Sequence, residues 1–361
     1  RVPYTRPMHT LTFRAGAGAR QRIFEDGFAP ALIGSLIGAS GGAKWLALSQ
    51  LDRVVASEIL PSLRGPVFTL GSSIGAWRFA CYAQAQPSAA IDRFEEAYLA
   101  QRYSERPSTG EITARSLEIL DHVLGTEGAS EILAHPHLRT NIMAVRSRPL
   151  CASDWPPVLA PALGLAALSN LVSRRSLGAF FERALFHDAR DPTPFDAARG
   201  FSLQRIALDS HNLRLAIAAT GAIPLVLEGF RDIPGAEPGV YRDGGIIDYH
   251  LDMPQGARDG RLALYLHFID HLIPGWFDKA LPYRKASATH LHNTILISPS
   301  REFVATLPGG KIPDRKDFSR YDGPERERRW REVIERCRAL ADEFHEVLAT
   351  GTLAQRLQPL G

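Results

Sequence analysis

Pro66-Val67-Phe68-Thr69-Leu70-Gly71-Ser72-Ser73-Ile74-Gly75-Ala76 is the stretch that decides the fold. A short apolar run ends in G-x-S-x-G and passes into a helix-forming segment. That is the sequence form of a strand–turn–helix that pushes a serine out of the backbone. The glycines on either side of Ser73 answer a steric need, because a Cβ at either position collides in so tight a turn. A serine hydroxyl is a weak nucleophile until a base takes its proton. Far downstream, Val240-Tyr241-Arg242-Asp243-Gly244-Gly245-Ile246-Ile247-Asp248 holds a carboxylate in a glycine turn. Asp243 is the candidate base.

Outward from Ser73 the chain alternates strand and helix. Ala31 to Gly38 reads as a strand and Val67 to Leu70 as the next. Between them Trp45 to Leu60 carries Leu46, Leu48, Leu51, Val54, Val55 and Ile59 at helical spacing. Ile74 to Ala85 is expected to be a helix whose Gly75, Ala76 and Ala80 allow close packing on a sheet. This order predicts a layered α/β/α core with a mostly parallel central sheet. Ile91 to His137 and Val158 to Phe186 both read as helical and suggest insertions. A cap over a site and ordinary crossover helices both fit them. Asn212 to Ala219 is expected to form a helix stopped by Gly221 and Pro224, and Gly239 to Asp243 a strand. Leu262 to Phe268 and Thr294 to Ser298 read as strands, and Glu325 to Leu348 as one long amphipathic helix.

Composition narrows the function classes. With 361 residues, 45% of them hydrophobic, the chain can bury a large core. A net charge of +3, spread along the sequence, gives no electrostatic case for nucleic-acid binding. The Arg-rich stretch from Glu325 to Arg331 alternates in sign, as a solvated helix face does. Cys81, Cys151 and Cys337 are odd in number and widely spaced, which favours a reducing compartment over a disulfide framework or a zinc site. The first eight residues lack a signal-peptide pattern, and a chain beginning at Arg1 reads as trimmed or extended, with Met8 nearer a natural start. Trp155 to Ser173 is uncharged but interrupted by Pro156, Pro157, Pro161 and Gly164, a poor spanning helix. It reads as a core helix, an apolar cap or a surface-docking element, and Arg174, Arg175 and Arg183 follow it. A cytoplasmic protein, in peripheral contact with a membrane surface at most, is the expectation.

Acyl transfer from a serine needs a nucleophile, a base and donors for the tetrahedral oxyanion. Gly38-Ala39-Ser40-Gly41-Gly42-Ala43-Lys44 offers the third part. A glycine-rich loop between strand and helix presents backbone N–H groups, and the helix N-terminus favours negative charge. Gly41, Gly42 and Ala43 are the candidate oxyanion donors, and Lys44 adds positive charge for substrate. The loop lacks the G-K-[ST] ending of a Walker loop and the G-x-G-x-x-G of a dinucleotide site.

Together and in this order, Gly41-Gly42-Ala43-Lys44, Gly71-Ser72-Ser73-Ile74-Gly75 and Asp243-Gly244-Gly245 resemble the patatin-like phospholipases. Ala216 to Pro224 and Leu251-Asp252-Met253-Pro254 extend the resemblance, which covers about residues 31–85 and 205–255. The loop departs from the family in reading Ala39-Ser40-Gly41-Gly42 where three consecutive glycines are common. The resemblance implies a patatin-like fold and a lipid acyl hydrolase, of phospholipase A or carboxylic esterase type. It also implies a Ser73–Asp243 dyad without histidine, no cofactor and no metal. It divides the chain into an N-terminal segment 1–30, a catalytic domain 31–300 with a helical insertion over about 90–200, and a C-terminal loop and helix 301–361.

Three alternatives stay open. A Ser–Asp–His arrangement would draw on His211, His250, His267 or His271. Transfer of the acyl group to an acceptor other than water uses the same acyl-enzyme. A non-catalytic α/β module would bind a lipid or a partner with the same residues. Acyl-chain length, head group and oligomeric state are not legible.

Overall fold

The computed structural model describes residues 9–197, 200–257 and 259–360. The Arg1–Met8 reading lies outside them. The chain opens with strand β1 (Leu11–Ala15), α1 (Ala17–Asp26), β2 (Ile33–Gly38), a 3-10 turn over Gly42–Ala47 and α2 (Ser49–Val54). Next come β3 (Val67–Ser72), α3 (Ile74–Tyr82), α4 (Pro87–Leu99), α5 (Thr109–Leu124), α6 (Gly128–Ala134) and β4 (Leu138–Ser147). The middle holds α7 (Pro156–Val172), β5 (Phe181–His187), β6 (Leu203–Ala207), α8 (Leu213–Ala219), β7 (Phe230–Arg231) and β8 (Val240–Asp243). It closes with β9 (Leu262–Leu266), β10 (Thr294–Pro299), α9 (Arg301–Thr306), α10 (Asp317–Arg320), α11 (Gly323–Arg336), α12 (Arg338–Thr350), α13 (Leu353–Arg356) and β11 (Leu357–Pro359).

The eleven strands form one mixed sheet. Its main path runs β11-β1-β10-β9-β2-β3-β4-β5-β6, with β8 on β4 and β7 on β8. The stretch from β10 through β9, β2 and β3 to β4 is parallel throughout. β1 meets β10 antiparallel, and β5 and β8 both meet β4 antiparallel. This is the layered α/β class expected from the strand–helix alternation.

Alternate residues of the central strands enter different cores, as the pleat requires. Leu36, Val67, Leu262, Leu264 and Leu266 point into the larger core, which α2, α3, α4 and α12 cover. Ile37, Phe68, Leu70 and Tyr265 point to the other face, which is covered by loop residues such as Leu251, Phe268 and Leu291. On that second face α7 closes the β4–β5 end, with Leu159, Leu163 and Ala166 packed on Val145 and Phe181.

Four expectations need correction. The 90–200 region is not a helical insertion throughout, because β4 and β5 lie in the central sheet. The expected helix to Phe186 ends at Val172, and β5 occupies Phe181–His187. The long helix expected over Glu325–Leu348 is two helices that part at Cys337, where ψ of −5° leaves the helical value although the apolar period continues. The segment after the first glycine loop is likewise broken into 3-10, α and π turns.

A buried ion pair ties α2 to α3. Arg78 donates to both oxygens of Asp52, from Nε at 2.9 Å and Nη2 at 2.5 Å, and Tyr82 adds its hydroxyl at 2.5 Å. Both charged side chains are almost fully buried. Removing one partner of such a pair strands the other charge. Asp52→Ala is expected to destabilise the fold by about 3–5 kcal/mol, read as a lowered midpoint in chemical denaturation. A loss below about 1 kcal/mol would mean that water reaches Arg78.

Candidate active site

β4 brings the two distant motifs together. Its first half pairs with β3, and the last residue of β3, Ser72, stands opposite Met143. Its second half pairs with β8, whose last residue, Asp243, stands opposite Ala144. Consecutive residues of one strand therefore carry the ends of β3 and β8. Ser73 follows directly on β3, at φ 53° and ψ −128°, and starts α3. This positive φ is costly for a residue with a Cβ. Ser73 Oγ donates to Asp243 Oδ2 at 2.8 Å.

Neighbouring groups fix the turn. The Ser73 N–H donates to Thr220 Oγ1 at 2.8 Å, and the Thr220 hydroxyl donates to the Met143 carbonyl. A Cβ at Gly75 would lie 2.0 Å from the Gly38 carbonyl oxygen, so the elbow glycine lets α3 press against the end of β2. The Gly245 N–H donates to Asp243 Oδ1 at 2.7 Å. Each oxygen of Asp243 thus has its own donor, and the side chain is fixed. Behind this turn Arg183 forks onto both oxygens of Asp248, at 2.7 Å each, fully buried.

Ser40, Gly41, Gly42, Ala43 and Lys44 line the same cavity as Ser73 and Asp243, a space of about 800 Å³. The Ser40 N–H donates to the Tyr249 carbonyl at 3.0 Å, which ties the loop to the chain just beyond Asp243. Among the described residues the N–H groups of Gly41, Gly42 and Ala43 donate to no carbonyl elsewhere in the fold. Ala43 and the two glycines sit at the start of the 3-10 turn, where N–H groups lack partners within the turn. Gly42 is required for its φ of 55° rather than for space, since a Cβ there would meet nothing nearer than 4.0 Å.

The electrostatics are set by burial. Desolvation raises the Asp243 carboxyl to about 6, against the pull of the Ser73 and Gly245 hydrogen bonds and of Lys279. Lys279 lies over the Tyr249 ring, 3.8 Å from its centroid. Desolvation and then the nearby Lys44 bring Lys279 down to about 7. Lys44 is also lowered, by desolvation first, and its Nζ lies 3.4 Å from the Tyr249 hydroxyl. Lys279, Thr220 and Tyr249 were not singled out from sequence. Thr220 lies inside the Ala216–Pro224 segment, whereas Lys279 sits in a turn with no local signal.

None of the twelve histidines hydrogen-bonds Ser73 or Asp243. His250 and His267 are fully buried, and each engages the backbone through Nδ1, with Ile273 and Ile269 respectively. Burial lowers both rings, so they pack as neutral groups. His271 lies on Asp270 and His211 is exposed. Cys81, Cys151 and Cys337 are buried thiols, each raised by desolvation.

Comparison with known proteins adds little. No family model matches the chain, and no curated protein matches it. Among solved structures it is similar to VipD from Legionella pneumophila, with 11% identity and a TM-score of 0.31. That alignment covers 73% of this chain and only 55% of VipD.

Asp243 carries a stability test of its own. Its folded carboxyl titrates about 6 against an ordinary 3.8, so the folded state holds its proton more tightly than the unfolded chain. Stability from this group is therefore full below about pH 4 and lost as pH rises through about 6. Asp243→Asn is expected to raise the melting temperature at pH 7, by up to about 3 kcal/mol of stability. The gain should vanish near pH 4, and a gain that does not change with pH would mean Asp243 titrates normally.

Proposed function

We propose that the protein is a serine acyl hydrolase acting on lipid-like carboxylic esters. The 2.8 Å hydrogen bond from Ser73 to Asp243 inside a large cavity carries this reading. As Ser73 Oγ attacks the ester carbonyl, its proton passes to Asp243, and the carbonyl electrons collect on the oxygen. The N–H groups of Gly41, Gly42 and Ala43 are the donors for that oxyanion. Collapse breaks the bond to the alcohol, which leaves with the proton from Asp243. Water, losing its proton to Asp243, then attacks the acyl-enzyme, and Ser73 regains its proton as the acid departs.

A carboxylate acting without histidine is a weak base in water. Desolvation raises Asp243 toward working pH and narrows that gap. The cavity walls support an ester with an apolar chain and a negative group. Trp77, Ile112, Ile119, Ile223, Leu227 and Phe230 line it from α3, α5, the segment between α8 and β7, and β7 itself. Lys44, Lys279 and Arg315 line it from other loops, and none of the three forms an ion pair among the described residues. The first set suits an acyl chain and the second an anionic head group.

Labelling with a fluorophosphonate probe tests the nucleophile. Wild type should react at Ser73 and Ser73→Ala should not, with ester turnover falling by about 10³-fold or more. Equal turnover in both would remove Ser73 from the chemistry. The pH profile tests the base. For an uncharged ester, kcat/KM should rise with pH through about 6, as Asp243 loses its proton. Lys279→Met removes a cation that favours the carboxylate, so this limb should move to higher pH. A limb that stays in place would separate Lys279 from Asp243.

A further inference from the structure

α7 presents an apolar face on both sides, and only one side has a partner among the described residues. Leu159, Leu163, Ala166 and Asn170 recur at three- and four-residue spacing and are buried against the second face of the sheet. Val158, Leu165, Leu168, Leu171 and Val172 lie on the opposite side and are exposed, Val172 at 89%. Seven of the ten large apolar side chains exposed among the described residues fall between Leu150 and Val172. A helix that is apolar all round belongs inside a protein core or in contact with lipid. No helix of the described residues is long and apolar enough to cross a membrane. At 17 residues and with Pro161 inside it, α7 would lie along a surface.

The charges around the helix indicate what it meets. α7 itself carries none. Arg148 and Arg175 come from the flanking segments at its two ends, and both are exposed. Neither forms an ion pair among the described residues. The nearby acids are already held by arginines: Asp154 by Arg231 and Arg242, Asp278 by Arg174 and Arg284. What remains is an apolar stripe with two cations outside any ion pair in its flanking segments, and Trp155 (65% exposed) at the N-terminal end. Tryptophan at the border of an apolar face is the pattern of an interfacial helix.

We propose that α7 docks the protein onto the surface of an anionic bilayer. Val158, Leu165, Leu168, Leu171 and Val172 enter the acyl boundary, and Arg148 and Arg175 meet the head groups. The docked helix is one packing layer from the cavity. Its inner residues share a core with Ile246 and Trp276, which also line the cavity wall. The Asn170 amide donates to Asp278 at 2.8 Å, in the turn that ends just before Lys279.

Co-sedimentation with vesicles tests this, using Ser73→Ala protein so that lipid is not consumed and binding is read apart from hydrolysis. The protein should bind vesicles of phosphatidylcholine with phosphatidylglycerol more tightly than vesicles of phosphatidylcholine alone. Leu165→Ser, Leu168→Ser and Val172→Ser together should weaken binding by about tenfold or more. The melting temperature and the turnover of a water-soluble ester by the same triple variant with Ser73 intact should stay unchanged. Arg148→Glu with Arg175→Glu should remove the preference for phosphatidylglycerol, and added salt should do so in wild type. Binding that ignores both sets of substitutions overturns the proposal. So does an absence of vesicle binding, including the case where sedimentation shows a dimer that the serine substitutions dissolve, which would make this face a contact between two copies. Each of these failures leaves the ester-hydrolysis reading standing.

Discussion

The pairing of β4 with two strands along one edge is the constraint on which the site depends. A strand normally has one neighbour on each side. β4 has β5 along one edge, while β3 and β8 share the other edge end to end. The handover falls between Met143 and Ala144, so the chain ends that leave β3 and β8 emerge at the same point. Register in a sheet is held by ladder hydrogen bonds and by which face each side chain occupies, and a slip of one residue would reverse both. A hydrogen bond between residues far apart in sequence is therefore set by backbone pairing rather than by flexible side chains. The Met143 carbonyl also receives the Thr220 hydroxyl, and a Cβ on Gly244 would lie 2.0 Å from it. One peptide group thus meets the elbow's clamp and the aspartate turn together.

Strain at Ser73 is stable only because the surroundings over-determine it. A positive φ at a residue with a side chain costs on the order of 1–3 kcal/mol. Against this stand the hydrogen bond from its N–H to Thr220, its carbonyl accepting from Ala76, and the close packing of α3 on β2 and β3. α3 is buried along its whole length, anchored at its middle by the Arg78–Asp52 pair and at its far end by the Tyr82 hydroxyl on Asp52. The turn therefore has little freedom to relax into an ordinary conformation. Relaxation would swing the hydroxyl away from the carboxylate.

The legible parts of this fold are those in which local sterics leave a mark on residue type. The glycines around Ser73, after Asp243 and before Lys44 could be read because close approach or positive φ excludes other residues there. β2, β3 and β9 could be read because buried parallel strands are short continuous apolar runs. β4 escaped for the opposite reason. Its Arg139 and Arg146 are satisfied by carboxylates distant in sequence, Asp191 and Glu182, so its polarity looks like that of an exposed segment. β1 alternates buried and half-buried residues over Leu11–Ala15, a period-two signal too short to stand out from a loop. Lys279 and Tyr249 join the site through tertiary packing alone, and no spacing rule reaches them. α7 was legible as uncharged and apolar, but only its packing decides which of its faces remains uncovered.

Burial links the chemistry of this site to its cost. A histidine would supply a base near neutral pH without being desolvated, because its ordinary value already lies there. A carboxylate can approach that range only if water is removed from it, and removing water destabilises the charged form in the fold. The same act that makes Asp243 a stronger base therefore lowers the stability of the native state at the pH where that base is ionised. The neighbouring cations limit the penalty without abolishing it, since Lys279 and Arg315 stabilise the carboxylate from across the cavity rather than by contact. A closer cation would form an ion pair, return the carboxyl to its ordinary range and compete with Ser73 for its oxygen. Lys279 instead rests over the Tyr249 ring, 3.8 Å from its centroid, and forms no ion pair with Asp243 among the described residues. The lysine is near enough to favour the charge, without competing for the oxygen that holds Ser73.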